Sequence, residues 1–126
     1  MPAITRMAQL MARQEGWGIV GAIPTVRNNP LDLRHSPHST HAGIGEDDVG
    51  IVDTIEHGWE DAERQLQLWG QRGLTIQQAI ETQTGWDSRT GDVDGNDTPA
   101  YIAAITSGLG MAAAVSVARA LGIPAV

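Results

Sequence analysis

Residues Glu15–His41, EGWGIVGAIPTVRNNPLDLRHSPHSTH, decide how the rest of the chain is read. They begin with a carboxylate where a helix would ordinarily bury an apolar side chain. Upstream, Ile4, Met7, Ala8 and Met11 recur at helical spacing, while Thr5, Arg6, Gln9, Arg13 and Gln14 fall largely on the other side. The next position on that apolar stripe is Glu15. Gly16 follows as a helix stop, since glycine accepts the left-handed conformation that closes many helices. The spacing therefore predicts a carboxyl group that points inward from a C-terminal turn. Desolvation and the negative end of the helix dipole would both raise its pKa. Between Trp17 and Pro37 the frequent Gly and Pro, with Asn28-Asn29 before Pro30, predict a loop holding one short helical turn.

Downstream, the segment from His41 to Asp53 has a short apolar run, Val49 to Val52, preceded by the turn-rich Gly45-Glu46-Asp47-Asp48, and reads as a small β-hairpin. The clearest helix follows. It has Asp53 or Thr54 as N-cap, Glu56 placed to complete a capping box from Asp53, a stripe of Ile55, Trp59, Ala62, Leu66 and Trp69, and a stop at Gly73. Thr75 and Gln78 repeat the capping-box pattern ahead of Ile76, Ala79 and Ile80, with Gly85 as the stop. After the polar loop Trp86–Asp97, a helix starts at Thr98-Pro99 behind an oxygen-bearing cap and carries Ile102, Ile105 and Leu109. Met111 to Leu121 is Ala-rich and predicts a last helix, stopped by Gly122. The fold class expected is mainly α within α+β, a helical core with one small β-hairpin.

A chain of 126 residues, 41% apolar and 18% charged, suits one soluble domain spanning 1–126. It has no Cys, so disulfides and thiolate metal sites are excluded. All eight basic residues are Arg, and 15 carboxylates set the net charge at −7, which argues against nucleic acid as a partner. The N-terminus lacks the apolar core of a signal peptide, and no segment approaches the ~18 apolar residues of a membrane span. The expectation is synthesis in the cytoplasm, without membrane insertion, and action at the cell wall or as a virion component.

Glycoside cleavage needs a carboxylic acid that is still protonated near neutral pH, usually a Glu of raised pKa, and Glu15 has the position for it. A frayed helix end that leaves Glu15 in water is the plain alternative. The order of Gln14-Glu15-Gly16, RNNPLDLRH (27–35), DTIEHGWEDAERQLQLW (53–69), RGLTIQQAI (72–80) and GNDTPAYI (95–102) resembles a family of phage and prophage proteins. They are lysozyme-like peptidoglycan hydrolases or virion structural proteins. Its members carry Asn-Asn-Pro-Gly-Asn-Leu-Arg, then an Asp-Gly-Trp helix and an Asn-Asp-Thr helix start. This chain departs from that pattern at Leu31 and Asp32, which stand for Gly-Asn, and in the longer acidic run before Asn96-Asp97-Thr98.

The resemblance implies a lysozyme-like fold, with Glu15 as catalytic general acid and peptidoglycan glycan strands as partner. The bond cut would be the β-1,4 link between N-acetylmuramic acid and N-acetylglucosamine, by a muramidase or a lytic transglycosylase. Asn28, Asn29, Arg34, His35, Trp17 and Tyr101 are the candidate substrate contacts. Candidates for a second carboxylate are Asp32, Glu46, Asp47 and Asp48; a retaining pair lies about 5 Å apart and an inverting pair about 6.5–9.5 Å. The alternative from another class is a virion structural or assembly protein, with virion proteins as partners and no catalysis.

His35, His38 and His41 form an HxxHxxH series that, with Glu46, would suit zinc, but Pro37 breaks any helix that would align them. The non-metal reading is preferred, and neither metal nor cofactor is expected. Asp92–Asp97 has the oxygen-rich look of a calcium loop in the wrong register, so turn formation and capping by Asp97 or Thr98 explain it. Trp59 and Trp69 read as core, Trp17 and Trp86 as sugar contacts.

Overall fold

The computed structural model of the chain describes residues 1–40, 49–92 and 96–124. In order these form α1 (Ala3–Glu15), α2 (Ile23–Val26), β1 (Ser39–Thr40), β2 (Ile51–Val52), α3 (Ile55–Gln71), α4 (Ile76–Thr84), α5 (Thr98–Leu109) and α6 (Val117–Leu121). The described residues are mainly helical with one antiparallel two-stranded sheet, which is the fold class the residue pattern predicts. His41, Glu46, Asp47, Asp48 and residues 93–95 lie outside the described residues. Among the described residues, no helix is long and apolar enough to cross a membrane.

The chain divides into two compact units, one of Ala8–Gln65 and one of Met1–Met7 with Leu66–Val126; the divisions fall inside α1 and α3. In the first, Ala8, Met11, Ala12, Leu31, Leu33, Val52 and Ala62 are buried. Ser39 pairs with Val52 and Thr40 with Ile51. Thr54 caps α3, its hydroxyl accepting from the His57 N–H at 3.1 Å. The Asp53–Glu56 box expected there is replaced, because the Asp53 carboxylate accepts instead from Thr54 N–H and from the His57 ring. The α3 stripe is also shifted: Ile55 is exposed, Trp59 half-buried, and Gly58 and Asp61 are buried beside Ala62.

In the second unit, α4 packs on α5. The α4 capping box forms as read, Thr75 Oγ1 accepting from Gln78 N–H while the Gln78 side chain accepts from Thr75 N–H. Asp97 caps α5 and places Pro99 in its first turn. The last helix is shorter than its Ala-rich sequence predicts. Val115 and Ala113 carbonyls accept from the N–H groups of Ile76 and Gln77, and Leu74 accepts from Val117, so the chain through Ser116 is held extended against the start of α4. These tertiary bonds outweigh a helix propensity of a few tenths of a kcal/mol per residue. Arg6 donates through Nε and Nη2 to the Gly108 carbonyl, a cation at the negative end of α5.

Candidate functional site

The end of α1 is set by a Schellman closure. Trp17 N–H donates to Ala12 and Gly16 N–H to Arg13, with Gly16 at φ +98°. This fixes Glu15 as the last helical residue, on the buried stripe of Met11 and Ala12, and its side chain is half-buried. Trp17 then meets Trp59 edge-on, the ring centroids 5.3 Å apart at 72°.

The Asn-Asn-Pro loop is built onto the strand side by hydrogen bonds. Arg27 Nη1 donates to the Val49 carbonyl at 2.8 Å, and the Arg27 carbonyl accepts from Val52 N–H at 2.9 Å. Asn28, at φ +52°, donates through Nδ2 to Val52 O. Asn29 is buried. Its Nδ2 donates to the carbonyls of Leu33 (2.8 Å) and Gly50 (2.9 Å), and its Oδ1 accepts from Leu33 N–H (3.0 Å). Both amide protons are thus committed, so Asn29 shapes the loop. Leu31 is wholly buried, and Asp32 takes the left-handed conformation at φ +53°, which Asp and Asn tolerate better than most side chains.

Of the residues the sequence nominates, Glu15, Trp17, Asn28, Asn29, Asp32, Arg34 and His35 fall in the Ala8–Gln65 unit, and Tyr101 in the other. Arg34 and His35 are exposed, Trp17 is half-buried, and Tyr101 is buried at 7% exposure on α5. Trp86 lines an open pocket of 440 Å³ with Leu74, Gln78, Glu81, Thr82, Asp87 and Ser88. An indole beside an amide, two carboxylates and two hydroxyls is a surface suited to a sugar. The acidic loop after it does what its turn chemistry predicts, Asp92 accepting from the N–H and hydroxyl of Thr98.

A second cluster was not legible in advance. The Asp61 side chain on α3 is 2% exposed. Its Oδ2 accepts from the Ser36 hydroxyl (2.6 Å) and His38 N–H (3.0 Å), while its Oδ1 lies 2.7 Å from His38 Nδ1. One turn before, His57 Nδ1 lies 2.7 Å from Asp53 Oδ1, and its Nε2 lies 4.0 Å from Glu60. The bond to Asp53 raises the His57 imidazole above its ordinary 6.5, and the same bond lowers the Asp53 carboxyl from 3.8. The two rings stack, centroids 3.8 Å apart at 13°. His38 thus stacks on a residue of α3, outside the HxxHxxH series. Asp61 lies off the apolar stripe that the sequence predicts for α3 and is buried because the stripe is shifted, so spacing alone gives no signal for it. No family model matches the chain, and no curated protein or solved structure matches it either.

Proposed function

We propose that this chain cleaves the β-1,4 bond between N-acetylmuramic acid and N-acetylglucosamine in peptidoglycan, as a muramidase or a lytic transglycosylase. The observation that supports this is the position of Glu15. It is a half-buried carboxyl at the closed end of α1, in the compact unit that also holds the Asn-Asn-Pro loop and the sheet. A rigid helix terminus keeps such a group aimed while sparing it from full hydration. The Glu15 carboxylic acid gives its proton to the glycosidic oxygen as the bond to the sugar's anomeric carbon breaks. The resulting oxocarbenium-like centre is then captured by water, giving a reducing sugar, or by a hydroxyl of the same sugar, giving an anhydro product, and the proton lost by the attacking oxygen returns to the Glu15 carboxylate. Trp17, Arg34 and His35 supply the partly exposed contacts of this unit. Asn28 and Asn29 hold the loop that leads into Arg34 and His35.

Glu15→Gln should fold like the parent by circular dichroism and lose clearing of purified cell walls, by about 100-fold or more. A variant that still clears them at the parent rate refutes the assignment. A second reading, a virion structural protein that keeps the scaffold without catalysis, is favoured by the burial of Asn29 and Tyr101, two of the polar groups expected to meet substrate. Under it the parent protein itself releases no muropeptides from sacculi.

A further inference from the structure

We infer that His38, His57 and Glu60 bind a divalent transition-metal ion, zinc being the best fit. This site is independent of the role given to Glu15. One ligand atom from each of the three residues lies within 4.8 Å of the others. Ligand bonds of about 2.0–2.2 Å in a tetrahedron put ligand atoms roughly 3.4 Å apart, so binding requires a side-chain movement that draws the cluster together and turns the stacked rings out of parallel. The Glu60 side chain is 66% exposed and His57 38%, which leaves both free to make it. The separation of His57 and Glu60, three residues on one helix, turns both towards the same side.

Each imidazole is held at Nδ1 by its own carboxylate, His38 by Asp61 and His57 by Asp53, both at 2.7 Å. A carboxylate accepts only, so Nδ1 carries the proton and Nε2 keeps its lone pair for a metal. Metal-bound histidines are oriented and made more basic in this way. Three carboxylates, Asp53, Glu60 and Asp61, surround the two rings, a concentration of negative charge that a dication offsets. The donor set of two nitrogens and one oxygen suits zinc and its neighbours, whereas calcium and magnesium prefer oxygen alone. Side-chain exposure of 35% at His38 and 38% at His57 leaves the remaining coordination position to water. Because a metal lies in the plane of each ring it binds, coordination swings the stacked rings apart about their Nδ1 anchors.

Calorimetric titration of chelator-treated protein with zinc chloride tests this. One ion should bind per chain. His38→Ala and His57→Ala should each abolish binding, and Asp53→Asn should weaken it about 10–100-fold. Glu81→Gln, in the other compact unit, should leave it unchanged. Since His38→Ala also strips a partner from buried Asp61, imidazole ¹⁵N spectra of the unaltered protein give a second readout. Zinc should shift the Nε2 signals of His38 and His57 well beyond their Nδ1 signals, and EDTA should reverse the change. No zinc binding by the parent, or binding that survives both histidine variants, overturns the site.

Discussion

At His57, a single hydrogen bond sets the protonation of two side chains, and its pH dependence has a definite sign. The folded imidazole holds its proton above the ordinary 6.5, so its share of stability is complete below 6.5 and is lost as pH rises through the raised value. The Asp53 carboxyl is lowered from 3.8, so its share is present above 3.8 and is lost as pH falls through the lowered value. The pair is therefore at full strength between 3.8 and 6.5. Both side chains meet solvent, so the effect belongs to a site titration more than to global stability. In metal-free protein the His57 resonance should titrate above 6.5 and fall back towards 6.5 in Asp53→Asn; a parent midpoint at or below 6.5 contradicts the bond. The half-buried place of Glu15 at the end of α1 is legible because a carboxylate on an apolar stripe breaks a pattern. Asn29 has the sequence setting of a cleft residue, which does not reveal that Leu33 and Gly50 consume its amide.

Among the elements, those with local stop and start chemistry are legible in the sequence. The box of Thr75 and Gln78 and the left-handed Gly85 bound α4 where the sequence puts them, because cap and helix lie within a few residues of each other. Elements whose extent depends on distant partners are not. The stretch from Met111 to Val115 favours helix by composition, yet its carbonyls serve the N–H groups of Ile76 and Gln77. The start of α3 shows the same dependence at Gly58, which reads as an indifferent helical glycine. A Cβ there would stand 2.0 Å from the Asn28 carbonyl oxygen and 3.1 Å from Pro30 Cδ. Gly58→Ala must push the helix away from the Asn-Asn-Pro loop, because backbone cannot rotate aside as a side chain would. The expected cost is about 1–3 kcal/mol in urea unfolding, despite the better helix propensity of alanine. A variant as stable as the parent would show the loop to be loosely held.

On the scale of the whole molecule, the mainly helical class follows from periodicity, while the division into two compact units, falling within α1 and α3, has no marker in the sequence. The charge of −7, by contrast, is read directly and bears on the proposed substrate. An acidic protein approaching an anionic wall is repelled, and salt screens the repulsion over a Debye length of about 10 Å at 0.1 M. Wall clearing at low ionic strength should therefore speed up as salt is added; a rate that falls steadily would point to a concentrated basic contact surface. The loop of residues 27–33 has a further consequence. It takes up Val49 O, Gly50 N–H and C=O, and Val52 N–H and C=O, all bordering or within β2. These groups would otherwise be a template on which a second molecule could add a strand. The loop stands where a third strand would, and blunts this edge against the edge-to-edge growth that turns short exposed strands into aggregates.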